Sequence, residues 1–195
     1  MYLIISDIFC VGNTGIPVSD FYLKVFIGRL TNMYKIGDKI VYPMHGAGTI
    51  EAIEEKKVLG EVNNYYILRM SYDDLKVMFP ISGVAADSIR NVIPEEEADK
   101  VIEYFGGYTE EINNNWNRRY RENVQRIKSG NIYEVAQVAK TLMLRDKKRG
   151  LSSGERKMLI NAKQILISEL VLAKNTTQQD IESRLNGIIE ESLKA

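Results

Sequence analysis

The chain has 195 residues, enough for one medium domain or two small ones that each bury a core. An apolar fraction of 45% and a charged fraction of 27% are ordinary for globular proteins and argue against both extensive disorder and a membrane protein. The formal net charge is zero, which argues against binding nucleic acid over the whole surface but allows local basic patches.

The single cysteine, Cys10, and the single histidine, His45, limit the chemistry that is available to the chain. One cysteine forms no internal disulfide, and the two residues together make no His/Cys zinc site. The apolar start contains Asp7 and lacks the basic residues that open a secretory signal. We therefore expect a cytoplasmic protein with no bound metal and no cofactor.

The first 32 residues form an N-terminal extension whose relation to the rest of the chain is open. Two strand-like pieces, Tyr2–Ile5 and Phe21–Ile27, flank the turn-rich segment Gly12–Pro17. Met33 then begins a segment with the character of a domain start. Residues Met1–Asn32 are either native sequence or an addition that comes from cloning or from an upstream start codon.

The next segment, residues 33–93, alternates short strand-like runs with turn residues, a pattern typical of a small barrel. Its runs are rich in β-branched and aromatic residues. The predicted strands are Lys39–Tyr42, Gly48–Glu54, Tyr65–Met70, Lys76–Pro80 and Ile89–Ile93. The number and length of these strands predict a five-stranded β-barrel of the SH3 or Tudor type.

Pro94 marks a change from strands to helices, because proline suits the first turn of a helix and the acidic Glu95–Glu97 suit its positive end. The predicted helices are Glu95–Phe105, Glu111–Lys128 and three more that start after Asn131, Ser152 and Thr177. Asn131 and Ser152 are each followed three residues later by glutamate, as in a capping box. We therefore predict an α+β protein with the barrel in residues 33–93 and a compact bundle of about five α-helices in residues 94–195.

No constellation of residues indicates an enzyme. The Gly46–Gly48 segment lacks the lysine and the helix of a phosphate-binding loop and is interpreted as a hairpin turn. His45 has no second ligand or nucleophile near it in sequence and is interpreted as a turn residue. Asp73 and Asp74 are adjacent, so they cap a turn or point to opposite faces of a strand. An enzyme acting on nucleic acid would need converging carboxylates or a metal site.

Two stretches of the helical half concentrate positive charge. Between Ile112 and Gly130 there are five basic residues and one acidic residue, and between Arg145 and Lys157 there are six and two, so each stretch has a local charge of +4. Such patches supply the phosphate-directed part of DNA affinity. A solvated helix face has the same composition, and charge alone does not separate the two interpretations.

Trp116, the only tryptophan, has Tyr120, Val124 and Ile127 after it at helical spacing. That spacing favours a buried core residue. The neighbouring asparagines and arginines favour the other interpretation, in which an apolar wedge flanked by arginines separates base steps in a minor groove.

Three segments resemble the CarD/CdnL-type family of bacterial transcription regulators. Tyr34–Gly48 is similar to the opening of that family's barrel, and Asn115–Tyr120 and Arg149–Leu159 are similar to its helical signatures. The resemblance begins at Met33 and extends to about Ala195. It implies a Tudor-like barrel, shared with transcription-repair coupling factors, that docks on the RNA polymerase β subunit. It also implies a helical domain that contacts promoter DNA at the upstream edge of the melted bubble.

The same resemblance assigns roles to individual residues. The wedge position is filled by Trp116, and the DNA-facing positions fall on Arg119, Arg121 and Arg156, with Arg118, Arg145 and Lys157 as basic neighbours. Polymerase contacts fall on Lys56, Val58 and Met78. Met78 stands where other members carry arginine, which favours an apolar contact at that position.

The implied function is a transcription regulator that stabilises the open complex and binds DNA with little sequence preference. It would act in the nucleoid region of the cytoplasm, with no membrane or small-molecule partner. The alternative is an adaptor whose barrel binds polymerase and whose helices recruit another protein instead of DNA. That alternative predicts a buried Trp116.

Overall fold

The computed structural model describes residues 34–58, 61–73, 75–81, 89–108 and 115–194. Within these ranges, the residues from Lys35 onward belong to one compact unit. The N-terminal extension Met1–Asn32, with Cys10, lies outside the described residues, as do Asp74 and residues 111–114. The predictions made for them, and the division at Pro94 into two domains, stay predictions.

Five strands in the described part of the chain form a single antiparallel sheet of order β4-β3-β2-β1-β5. They are β1 Lys39–Tyr42, β2 Gly46–Val58, β3 Glu61–Met70, β4 Lys76–Pro80 and β5 Arg90–Asn91. The α+β class is confirmed, but the sheet is not closed into the expected barrel. The edge strands β4 and β5 do not pair with each other in the described ranges, and β5 has only two residues with which to form a ladder.

The boundaries of β2 and β3 differ from the prediction, because their backbone pairing continues beyond the buried part of the sheet. The β2–β3 hairpin is paired from Gly48 and Met70 out to Val58 and Glu61, several residues further than predicted. Its tip is charged and exposed, so hydrophobic alternation gives no signal there even though the backbone ladder continues. β1 and β4 have the predicted bounds.

Five helices follow in the described part: α1 Glu95–Gly107, α2 Trp116–Lys128, α3 Ile132–Arg149, α4 Ser153–Lys174 and α5 Gln178–Lys194. α2 begins at Trp116, because Asn115 is extended and its side chain caps the helix by accepting a hydrogen bond from the Arg118 N–H at 3.2 Å; the predicted start at Glu111 lies outside the described residues. Ser152 forms the predicted capping box with Glu155. Asn131 caps α3 through the Tyr133 N–H, and no reciprocal bond from Glu134 closes the box.

The Gly46–Gly48 segment is strand and not turn, which corrects the hairpin interpretation. The turn itself is Pro43–His45, and His45 stacks on the Tyr42 ring at 5.1 Å. A Cβ on Gly46 would overlap the Ser168 hydroxyl of α4. The Ala47 N–H donates to that hydroxyl at 2.8 Å, so β2 and α4 touch directly. The glycine therefore permits the sheet to pack closely on the helices.

Buried side chains lie on the inner face of the sheet and inside the helical bundle, and α4 borders both. Tyr66, Leu68 and Phe79 fill the sheet side. Arg90 of β5 donates two hydrogen bonds to the fully buried Glu169 carboxylate of α4, which joins the sheet to the bundle. No helix in the described ranges is long and apolar enough to cross a membrane.

Candidate nucleic-acid and polymerase surfaces

Trp116 lies at the surface, which contradicts the core interpretation that its spacing favours. Its side chain is 44% exposed and stacks on Tyr120, with ring centroids 5.4 Å apart and an interplanar angle of 26°. We call these two residues the aromatic pair. Tyr120 is itself 38% exposed, so the pair forms an apolar projection at the start of α2.

The buried stripe of α2 is polar at its N-terminal end, which sequence periodicity missed. Arg119, Asn123 and Ile127 lie at i, i+4 and i+8 and face inward. The aromatic pair lies on the adjacent stripe. A hydrophobicity pattern does not identify a helix face that begins with arginine and asparagine as a buried face. Such an arginine is buried only because a charged partner in the interior compensates for its lost hydration.

That partner is Glu155, in the first turn of α4. Its Oε1 accepts a hydrogen bond from Arg119 at 2.9 Å and lies 3.4 Å from the Nε of Arg145 in α3. Its Oε2 accepts from the Ser152 N–H and hydroxyl at 3.1 and 2.9 Å. We call Arg119, Arg145 and Glu155 the ion cluster. All three side chains are at most 14% exposed.

The surroundings of Glu155 and Arg145 in the ion cluster shift the pKa of each of these two groups. Burial acts to raise the pKa of Glu155, but hydrogen bonds from Arg119 and Ser152 and the charge of Arg145 outweigh it, so the pKa is lowered. Burial and the neighbouring Arg119 lower the pKa of the Arg145 guanidinium. The structure thus places two of the predicted DNA-facing arginines, Arg119 and Arg145, in an internal network.

The other four predicted cations are exposed: Arg118, Arg121, Arg156 and Lys157. Arg118 pairs with Glu122 at 2.7 Å, and Arg156 lies 3.9 Å from Asp146. Exposed pairs of this kind are worth about 0–1 kcal/mol, so these cations can turn to a phosphate at small cost.

Lys157 lines a cleft of about 230 Å³ together with Tyr120 and Gly154. The cleft therefore places this cation beside Tyr120 of the aromatic pair.

The three predicted polymerase residues share one face of the sheet. Ala52, Ile67 and Met78 are paired neighbours across β2, β3 and β4. Lys56 and Val58 follow Ala52 at even intervals along β2, so their side chains point to the same side. We call Lys56, Val58 and Met78 the sheet face. Lys56 and Met78 both line a groove of about 570 Å³.

Sequence reasoning missed Gly154 and the second role of Glu155. The Ser152–Glu155 spacing predicted a capped helix start, which uses only one carboxylate oxygen. A glycine inside a helical turn, as at Gly154, is a weak signal of close packing. In the described ranges no group of three histidine, cysteine or acidic residues is placed to hold a metal.

Two protein-family domains match this chain, one over the strands and one over the helices. Residues 34–93 match the CarD-like/TRCF RID domain, and residues 100–186 match the CarD C-terminal domain. A Bacillus subtilis (strain 168) protein named "Putative transcription factor YdeB" is 43% identical over 151 residues, which is 77% of this chain and 99% of the relative. The chain therefore belongs to the CarD-like family of transcription factors.

Proposed function

We propose that this protein binds the β subunit of RNA polymerase and promoter DNA at the upstream edge of the melted bubble, and that it stabilises the open complex. A protein that binds the open complex more tightly than the closed one shifts the equilibrium by its differential affinity, without any chemistry of its own. The observation that carries the proposal is the exposure of Trp116 at the start of α2, beside surface cations.

On the DNA side, the aromatic pair has the form of a wedge. An exposed apolar ring at the end of a helix can occupy a widened base step and oppose re-pairing of the strands. Arg118, Arg121, Arg156 and Lys157 supply exposed positive charge for phosphates, which orients the protein without reading the sequence. We therefore expect weak binding to DNA with little preference among sequences.

On the polymerase side, the sheet face combines one cation with two exposed apolar side chains. Val58 is 39% exposed and Met78 is 44% exposed, and the adjoining groove gives a partner a concave place to bind. Lys56 is held by Glu54 at 3.0 Å in a pair that opens at small cost. Binding at this face raises the effective concentration of the aromatic pair at the promoter.

The test is the lifetime of the open complex formed by polymerase from the same organism on a promoter that opens unstably. Trp116→Ala should leave stability within about 0.5 kcal/mol, as for a surface change. It should shorten the lifetime roughly five- to hundredfold, the worth of one aromatic–base stack.

The matched control is Ile36→Ala, which also removes an exposed apolar side chain, 64% exposed, but at the start of the sheet. It should leave the lifetime unchanged. A Trp116→Ala protein that is fully folded and prolongs the open complex like the unaltered chain contradicts the proposal. The adaptor alternative depended on a buried Trp116, and no other observation favours it.

A further inference from the structure

The first turn of α4 packs against the first turn of α2, at the point where the aromatic pair projects. A Cβ placed on Gly154 would lie 3.6 Å from Cε2 of Tyr120 and 3.9 Å from Cζ2 of Trp116. Both rings therefore rest on a residue that has no side chain. A methyl group at this position would be in ordinary van der Waals contact with both rings, so further carbons directed toward α2 would displace them.

The residue after that glycine holds the same helix by charge. Glu155 uses Oε2 for the cap of its own helix and Oε1 for Arg119 of α2. Arg119 lies three residues after Trp116 and directly before Tyr120, so an anchor on Arg119 limits rotation of α2 about its axis. The Arg119–Glu155 ion pair is buried, and burial makes the stability of the fold sensitive to the loss of either residue.

Arg145 brings α3 to the same oxygen, 3.4 Å from Oε1. Two arginines from two helices thus converge on one carboxylate, while Gly154 next to it lines a cleft together with Tyr120. A single turn of α4 therefore determines both the depth at which the rings sit and the angle at which α2 presents them.

We propose that Gly154 and Glu155 are positioning residues that fix the direction of Trp116 before DNA is bound. Neither residue has to touch DNA for this role. A ring that is already oriented loses less conformational freedom on binding, so more of the stacking energy contributes to affinity. The inference rests on the proposed function, in which Trp116 makes the contact that opposes re-pairing.

Trp116 is the only tryptophan, so its fluorescence reports its surroundings in the free protein without DNA or polymerase. Gly154→Val adds two γ-carbons against the rings, whereas Gly154→Ala adds only a methyl group at ordinary contact distance. Both replacements are better helix formers than glycine, so neither weakens α4. Valine should shift the emission and raise quenching by acrylamide, and alanine should change neither.

The two Gly154 variants are then compared in the open-complex assay. Gly154→Val should shorten the lifetime by about fivefold or more, the lower end of the loss of a base stack, and Gly154→Ala should not. Unchanged emission and quenching in the folded valine variant would overturn the proposal. A changed emission with an unaltered lifetime would overturn it as well, if Trp116→Ala does shorten the lifetime.

Glu155→Gln tests the charged contact, with Ser152→Ala as the control. Both variants weaken the cap of α4, but only the first removes the negative charge beside Arg119 and Arg145. Quenching and lifetime should change in Glu155→Gln and stay unaltered in Ser152→Ala, although both lower the melting temperature. Lifetimes that follow melting temperature alone across the two variants would show a merely structural role and overturn the proposal.

If Trp116→Ala itself leaves the lifetime unchanged, the proposed function fails. The quenching data on the free protein then still decide whether Gly154 and Glu155 orient the ring: an unchanged Trp116 environment in the variants overturns the positioning role, and a changed one supports it.

Discussion

The two candidate surfaces of this protein are built in different ways. The sheet face is presented by backbone pairing, since Lys56, Val58 and Met78 share a side because of strand register and alternation. The aromatic pair is presented by packing between helices, because Gly154 and the side chains of the ion cluster determine where α2 lies. A substitution on the sheet face should therefore act locally, whereas one beneath the aromatic pair should affect both stability and DNA binding.

The largest expected effect comes from breaking the ion cluster. Arg119→Ala removes one of the two guanidinium groups beside Glu155, which keeps Arg145 and Ser152 as partners, and should cost about 1–3 kcal/mol of unfolding free energy, as for a buried group that loses one hydrogen-bond partner. Arg118→Ala, one residue away on the exposed side of α2, should cost much less, because its pair with Glu122 is screened by solvent. Chemical denaturation of both variants measures the difference. Equal losses would contradict the internal role of Arg119.

On the sheet face, Met78→Asp should weaken binding to the isolated polymerase β subunit by roughly tenfold, the size of a moderate interface contact. Stability should change little, because Met78 is 44% exposed. Leu75→Asp is the control, since Leu75 is also exposed, at 56%, but does not line the groove beside Met78. Titration calorimetry separates the outcomes, and equal weakening by both variants would place the contact elsewhere.

Acid should lower the stability of the protein through the ion cluster beneath the aromatic pair. The folded-state pKa of Glu155 is lowered, so its ionised form stabilises the fold above the ordinary carboxyl pKa, and this contribution is lost as pH falls through the lowered value. Thermal melting from neutral to acidic pH should therefore show a smaller acid-induced loss in Glu155→Gln than in the unaltered chain. Identical pH profiles would mean that the carboxylate is not coupled to Arg119.

The smallest expected effect concerns the exposed cations. Arg121→Ala should reduce the slope of log affinity against log salt concentration by about one unit, and by the same amount on unrelated duplexes. Arg145→Ala should not reduce the slope in this way if Arg145 serves the interior only. Fluorescence anisotropy over a range of salt concentrations measures both. A strong preference for one sequence would contradict phosphate-directed binding.

Much of the fold could be predicted from the sequence because its signals are local. Strands β1 and β4 follow from short runs that contain β-branched and aromatic residues and lie between turns, and Ser152 predicted the start of α4 because a cap needs only the next three residues. The exposed tip of the β2–β3 hairpin gave no such signal, since its pairing is a backbone property. The open sheet could not be foreseen either, because closure depends on how far β5 pairs.

The candidate site divides in the same manner. The sequence by itself determined that Trp116 lies near the start of a basic helix, that two stretches concentrate positive charge and that the chain resembles CarD-like proteins, because composition and spacing carry this information. Only the tertiary structure decided that Trp116 is exposed while Arg119 is buried. The two residues are three positions apart on one helix, and which of them faces inward depends on Glu155, 36 residues beyond Arg119 along the chain. A charged side chain enters the interior only where it meets a partner, an opposite charge for Arg119 and the Gly106 carbonyl oxygen for Lys140, and that meeting is made by packing between distant segments.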